Sequence, residues 1–417
     1  MAYPPAGHPP RRPPAPTSAA GAASWPDGPA EEGRGQDRPA QDRPAQDRPA
    51  QDRPAQDGAA QDGAAQDGAG LGRIRAEVEQ ALDLFLRRQR PVLLAAGREL
   101  LPGLDAIEGL LAGGKRLRPA FCYWGWRGAD GSDGPEIIAA AAALELLHAS
   151  ALVHDDVMDG SDTRRGQPSL HRRFAARHAE AGWHGSAESF GAGAAILMGD
   201  LLLSWTDEMF HASGLPADAV ERGHRVLSLM RTEVMAGQYL DLLEQVSGGS
   251  VESALHVANY KSAKYTVERP LHLGAALAGA GDDVMTGYTR YGLPLGIAFQ
   301  LRDDVLGVFG DPGQTGKPAG DDLREGKRTV LVAAAFAKAS KPQAAALARR
   351  LGDPGLDAAG VAQAREIIRD TGALHECEEM IERYLTEALA ALPAAPAAPV
   401  AKAALAELAL AATSRTG

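Results

Sequence analysis

The rhythm of apolar and polar positions changes near residue 70. From Leu71 onward apolar residues recur every three or four positions. In RIRAEVEQALDLFLRRQRPVLLAAGRELL, Ile74, Val78, Leu82, Phe85 and Leu86 share one helical face. The same period predicts helices over Glu136–Asp159, Ala192–Phe210, Val220–Leu243, Val251–Ala278, Tyr288–Phe309, Lys327–Lys338 and Val361–Leu392. No alternating strand or Asn-Gly hairpin signal separates them. Ile137–Leu152 is apolar on nearly every side, as a helix buried in the middle of a bundle must be. The pattern predicts one all-α domain of roughly ten helices over residues 71–417. A last helix is expected after the proline-broken stretch ALPAAPAAPV.

Residues 1–70 follow another rule. From Gln36 to Asp67 a five-residue unit, QDRPA and then QDGAA, repeats almost without bulky apolar side chains. Such a segment buries too little surface to offset its conformational entropy, so a disordered spacer is expected there. Five residues is too short a period for a solenoid, and the prolines exclude a long helix.

Composition narrows the function. Aromatics make up 5% of the chain, and the ordered part is rich in alanine and leucine, which favours helix over sheet. A net charge of -11 argues against nucleic acid or an anionic membrane as partner. Cys122 and Cys377 form no CxxC pattern, which suits a reducing compartment better than a disulfide framework. The N-terminus lacks the apolar core of a signal peptide, and no uninterrupted apolar run reaches spanning length, so a cytoplasmic protein without an integral membrane segment is expected.

The chemistry concentrates in a few short segments. In ALVHDDVMDGSDTRRGQPSLH, Asp155 and Asp159 are one helical turn apart with Asp156 beside them. Three carboxylates near a helix C-terminus repel one another and oppose the helix dipole unless a cation intervenes. Hard oxygen ligands of this kind suit Mg²⁺, and the guanidinium forks of Arg164 and Arg165 just beyond suit phosphate oxygens. Alone, the segment could also be a solvated helix end. A second acidic helix end, FQLRDDVLGVFGD, carries Gln300, Asp303 and Asp304, and a glycine-rich loop with Lys317 and Lys327 follows it. A third segment, GGKRLRP, joins flexible glycines to Lys115, Arg116 and Arg118.

Together with MAGQYLD (Gln238, Asp241) and YKSAKYT (Lys261, Ser262), these segments resemble the trans-prenyl diphosphate synthase family in content and order. The resemblance runs from about Leu71 to at least Thr329. It implies helices around a central apolar cavity, usually in a homodimer. It also implies an enzyme that joins isopentenyl diphosphate to an allylic diphosphate with three Mg²⁺ ions. Carried over by position, Asp155, Asp159 and Asp303 would be metal ligands, and Asp156 would belong to the same catalytic motif. Arg164, Lys261, Lys317 and Lys327 would hold the allylic diphosphate, with Gln238, Ser262 and Gln300 nearby. Lys115, Arg118, His148 and Arg165 would hold isopentenyl diphosphate, although His148 could also be a satisfied core histidine.

One departure stands out. The second acidic motif usually ends in another aspartate, and here that position is Gly307. In the family that the chain resembles, bulky aromatics one and two turns before the first motif shorten the product. Here Leu147, Ser150 and Ala151 are not aromatic, so the resemblance implies an open floor and a product longer than fifteen carbons, geranylgeranyl diphosphate being expected. Two rival readings are a class I terpene cyclase and a non-catalytic subunit of a heteromeric synthase. GGKRLRP and the scarcity of aromatics oppose the first, and the intact first motif opposes the second.

Overall fold

The computed structural model describes residues 70–310 and 320–413. The expectation of a disordered spacer before Gly70, and the assignment of Lys317, lie outside the described residues.

The chain is helical, as the periodicity requires. α1 (Leu71–Ala96), α2 (Leu101–Leu111) and α3 (Leu117–Gly128) precede the central α4 (Pro135–Asp159). Then come α5 (Leu170–Glu180), α6 (Ala187–His211), α7 (Ala217–Ser247) and α8 (Val251–Ala258). α8 runs without a break into a π-helical stretch, Asn259–Glu268, and then α9 (Arg269–Ala278). α10 (Asp282–Phe309) is followed by α11 (Asp321–Arg324), α12 (Val330–Lys338), α13 (Lys341–Ala348), α14 (Ala358–Asp370), α15 (Ala373–Ala391) and α16 (Pro399–Thr413). Short helices such as α11 and α13 bring the described segments above the ten or so expected.

Two local outcomes differ from the periodic reading. The predicted helix Val361–Leu392 is two, α14 and α15, because Thr371 and Gly372 turn the chain, with Gly372 at φ 75°. Lys327 precedes α12, whose first turn is capped by the Thr329 hydroxyl accepting from Val332 N–H.

α4 is buried along most of its length, from Ile137 to Val153, which explains its lack of a polar face. The chain turns left-handed at Gly160 (φ 66°), and Ser161 N–H bonds back to the Asp156 carbonyl at 3.0 Å. That stop leaves the acidic motif at the helix mouth. Two apolar cores surround it. One gathers α1–α4, α6, α9 and α16, the other α12, α14 and α15, and α10 contributes to both. α4 and α6 are each long and apolar enough by composition to cross a bilayer. The apolar window of α4 is 72% buried, however, as in a core helix, whereas that of α6 is only 33% buried.

Candidate active site

A cavity of about 820 Å³ opens between α3, α4, α7, the α8–π segment, α10 and α11. Its lining brings together Asp155, Asp241, Lys261, Ser262, Gln300 and Asp303 with Lys115, Arg118, His148, Arg164, Arg165 and Lys327. Segments separated by some two hundred positions therefore meet around one space.

The π stretch is the local feature that the periodicity could not reveal. It widens the turn where Lys261, Ser262 and Thr266 face the cavity. α7 and α10 press glycines against it. A Cβ at Gly237 would stand 2.5 Å from Lys261 N, and one at Gly296 would stand 2.4 Å from Ala263 Cα, so only glycine permits this approach.

One pole of the cavity is acidic. Lys261 Nζ donates to Asp241 at 2.6 Å and to Asp155 at 3.3 Å. Burial would raise the pKa of Asp155, but Lys261, Lys327 and Arg164 outweigh it and hold the carboxyl below its usual range. Asp159 is pushed up to about 6, chiefly by burial, with Asp155 adding repulsion and Lys327 opposing it. Neither oxygen of Asp159 accepts a hydrogen bond, and Lys327 Nζ stands 3.4 Å away. Lys327 also pairs with Glu325 at 2.6 Å. Asp304 is pushed up to about 8 by burial and by Asp322, Asp303 and Asp241, while Gln300 Nε2 donates to it at 2.6 Å. The Ser262 hydroxyl donates in turn to Gln300 Oε1. Carboxylates from α4, α10 and α11 thus crowd one space with too little positive charge to balance them. This donor set, all hard oxygens, fits a divalent cation such as Mg²⁺.

The other pole is basic. A two-residue hairpin pairs Thr163 with Pro168 and Arg164 with Gln167. Its tight turn runs through Arg165 (φ 53°) and Gly166 (φ 73°), as hairpins of this kind require. The predicted pattern contained no strand, because two residues leave no alternation to detect. The turn sends the two arginines to different tasks. Arg164 Nε donates to Asp156 at 3.0 Å, while Arg165 Nη1 donates to the carbonyls of Leu110 and Ala112 at 2.9 and 3.2 Å. Arg118 donates to the Thr266 hydroxyl at 2.9 Å and lies 4.4 Å from the centroid of the Tyr265 ring. His148 Nδ1 is buried without a hydrogen bond. Burial and the nearby Arg118, Arg165, Arg164 and Arg116 push this imidazole well below its ordinary value, so it is neutral at pH 7.

Several residues singled out by sequence are not in the lining, Asp159 among them, whose carboxylate lies 3.4 Å from the lining Lys327. Asp156 is buried and ion-paired to Arg164, which makes it a support for that guanidinium. Gln238 is also outside the lining, with its Nε2 buried and unbonded. Leu147 and Ser150 are buried in the core, and Ala151 is half-buried; none of the three lines the cavity. Helix geometry gives the reason for Ser150, though not for Ala151, which lies only about 40° from Asp155 around the axis. At about 100° per residue, Ser150 is rotated roughly 140° from Asp155, whereas Glu145, His148 and Leu152 share its side.

Other lining residues were missed. Arg116, quoted only as one of three basic residues, is a buried partner of Glu145 at 2.5 Å. Asp322 is the more important omission. A Cβ at Gly307 would stand 1.8 Å from Asp322 Oδ2, so α11 places a carboxylate where the second motif lacks one. The adjacent Asp321–Asp322 pair, just ahead of Lys327, was the available signal.

A carboxylate-rich pole fit for divalent cations, facing a basic wall in an all-helical bundle, defines a class of enzymes that handle two diphosphates. The sequence pattern of the polyprenyl synthetase family matches residues 104–368. The geranylfarnesyl diphosphate synthase of Aeropyrum pernix is 34% identical over 282 residues, 66% of this chain and 82% of that one. The geranylgeranyl diphosphate synthase of Mycobacterium tuberculosis is 33% identical over 325 residues, 77% of this chain and 87% of that one. The geranylgeranyl pyrophosphate synthase of Corynebacterium glutamicum, solved with isoprenyl diphosphate and magnesium, superposes with a TM-score of 0.80. It is 40% identical, and the match covers 83% of this chain and 99% of that one.

The chain belongs to the polyprenyl synthetase family and is a trans-prenyltransferase that elongates allylic diphosphates. These relatives elongate rather than cyclise, which removes the cyclase reading. Asp322, beside Gly307, also answers the one departure from the family pattern that could speak for a non-catalytic subunit.

Proposed function

We propose that this enzyme makes geranylgeranyl diphosphate with three Mg²⁺ ions, two held by Asp155 and Asp159 and one by Asp303. The observation that carries the proposal is the shared cavity, acidic at one pole and basic at the other. Magnesium, when bound, would neutralise charge developing on the departing diphosphate. Lys261, Lys327 and Arg164 supply further positive charge to the same group. Asp241 and Asp155 orient Lys261, and Asp156 orients Arg164, so neither cation needs to reorganise during ionisation. Lys115, Arg118 and Arg165 would hold isopentenyl diphosphate. Neutral His148 can donate a hydrogen bond without adding charge. The isopentenyl double bond then attacks the allylic cation, forming the new C–C bond. The released diphosphate accepts the proton lost from the resulting cation, while Phe299, Leu152 and Val257 help keep water away.

Two features of this proposal rest on shape. α6 and α7 leave Phe190, Ile196, Leu197, Met235 and Tyr239 exposed, an apolar face that suits a second copy of the chain. The product length rests on the products named for the relatives and, more weakly, on the small Ala151, which is outside the cavity lining but only about 40° from Asp155 around α4. The purified chain, given labelled isopentenyl diphosphate and each allylic primer, should yield a twenty-carbon diphosphate. Ala151→Phe should shorten that product, and an unchanged profile would remove Ala151 from the account of length.

A further inference from the structure

Far from the cavity, three side chains with metal-ligating chemistry converge where α6 ends and α7 begins. Asp207 and His211 are one turn apart on α6, and His224 meets them from α7; one donor atom from each lies within 4.8 Å of the others. Along α7, His224 is roughly 25 Å from Asp241 at 1.5 Å per residue, so the cluster is separate from the acidic pole.

The surroundings favour a ligand. His211 Nδ1 lies 2.8 Å from the Asp207 carbonyl oxygen, so Nδ1 carries the proton and Nε2 keeps its lone pair. His224 Nε2 is 3.3 Å from the Ser228 hydroxyl, while its Nδ1 is buried without any hydrogen bond. Arg231 donates to both oxygens of Asp207, at 2.7 and 2.9 Å. That fork fixes the plane of the carboxylate, which retains lone pairs for a metal.

We propose that Asp207, His211 and His224 form a second metal site, selective for Zn²⁺ over Mg²⁺, that clips α6 to α7. Two imidazoles select zinc, cobalt or nickel over a hard cation, and one carboxylate completes three protein ligands. Donors around a tetrahedral zinc ion stand about 3.3 Å apart, given bonds of about 2.0–2.1 Å. The donors start within 4.8 Å, and side-chain adjustment of Asp207 and His224 closes the remaining gap while the His211 Nδ1 hydrogen bond is kept. A fourth position remains for water.

Calorimetric titration of the full chain with Zn²⁺ tests the site, with saturating Mg²⁺ added to compete for the acidic pole proposed above. One Zn²⁺ per chain should bind. His211→Ala and His224→Ala should each weaken binding on the order of tenfold or more, while Asp303→Asn should leave it intact. His224→Gln, close to histidine in size, serves as a second variant, and retained elongation activity shows that each histidine variant is folded. Absence of Zn²⁺ binding in the wild type, or unchanged binding in the histidine variants, would overturn the proposal.

Discussion

The two poles of the cavity make opposite use of charge. The basic pole presents Arg118, Arg165 and Lys115 from α3, its preceding loop and the hairpin, and can receive an anion directly. The acidic pole crowds Asp155, Asp303, Asp304 and Asp322 around Lys261 and Lys327, and can receive an anion only after cations reverse its sign. The contrast explains how a chain of net charge -11 can handle two diphosphates. On the function proposed above, it also separates their roles. The diphosphate that stays needs only to be gripped, whereas the one that leaves needs charge stabilisation that grows during ionisation.

The largest effect should come from breaking the acidic pole. Asp303→Asn should lower kcat on the order of 10²–10³-fold and raise the Mg²⁺ requirement, with little change in KM for isopentenyl diphosphate. Steady-state kinetics across a Mg²⁺ titration measures both. Arg118→Ala attacks the other pole. It should raise KM for isopentenyl diphosphate roughly 10–100-fold, the worth of a hydrogen bond to a charged group, while leaving the Mg²⁺ requirement unchanged. If both variants shifted the same parameter, the division between poles would be wrong.

A third experiment sharpens the acidic side. Gly307→Asp should clash with the Asp322 carboxylate and lower stability by about 1–3 kcal/mol. Adding Asp322→Gly should relieve the clash and return a carboxylate to nearly the same place. A double-mutant cycle should therefore give a coupling of about 1–3 kcal/mol, read from denaturant unfolding and from activity.

The smallest effect is in the pH dependence. In the fold Asp304 titrates near 8 and Asp159 near 6, both above the unfolded value of about 3.9. The folded state therefore holds more protons than the unfolded state, and stability falls as pH rises toward those folded values. His148 is displaced the other way. Its folded pKa is depressed, so its contribution makes stability rise with pH until about 6.5 and then becomes constant. Between pH 6.5 and 8, in EDTA, Tm should fall, by roughly 2–4 °C per kcal/mol lost. Mg²⁺ should flatten that slope, and an unchanged slope would mean that the metal is held elsewhere.

The sequence by itself determined the helical class and most of the candidate residues that line the cavity. Apolar spacing identified α1, α4 and α10, because a helix reports its buried face every three or four residues wherever it occurs. Asp155, Arg164, Lys261 and Asp303 were legible because each lies in a short segment whose chemistry is apparent alone. Only the tertiary structure decided how those segments share duties. Asp156 supports Arg164, Asp322 fills the place beside Gly307, and Ser150 turns into the core, since each outcome depends on a neighbour or a rotation that local spacing does not encode. The π stretch around Lys261 belongs to the same group. Its widened turn forms against Gly237 and Gly296, residues that come from other helices and meet it only after the bundle closes.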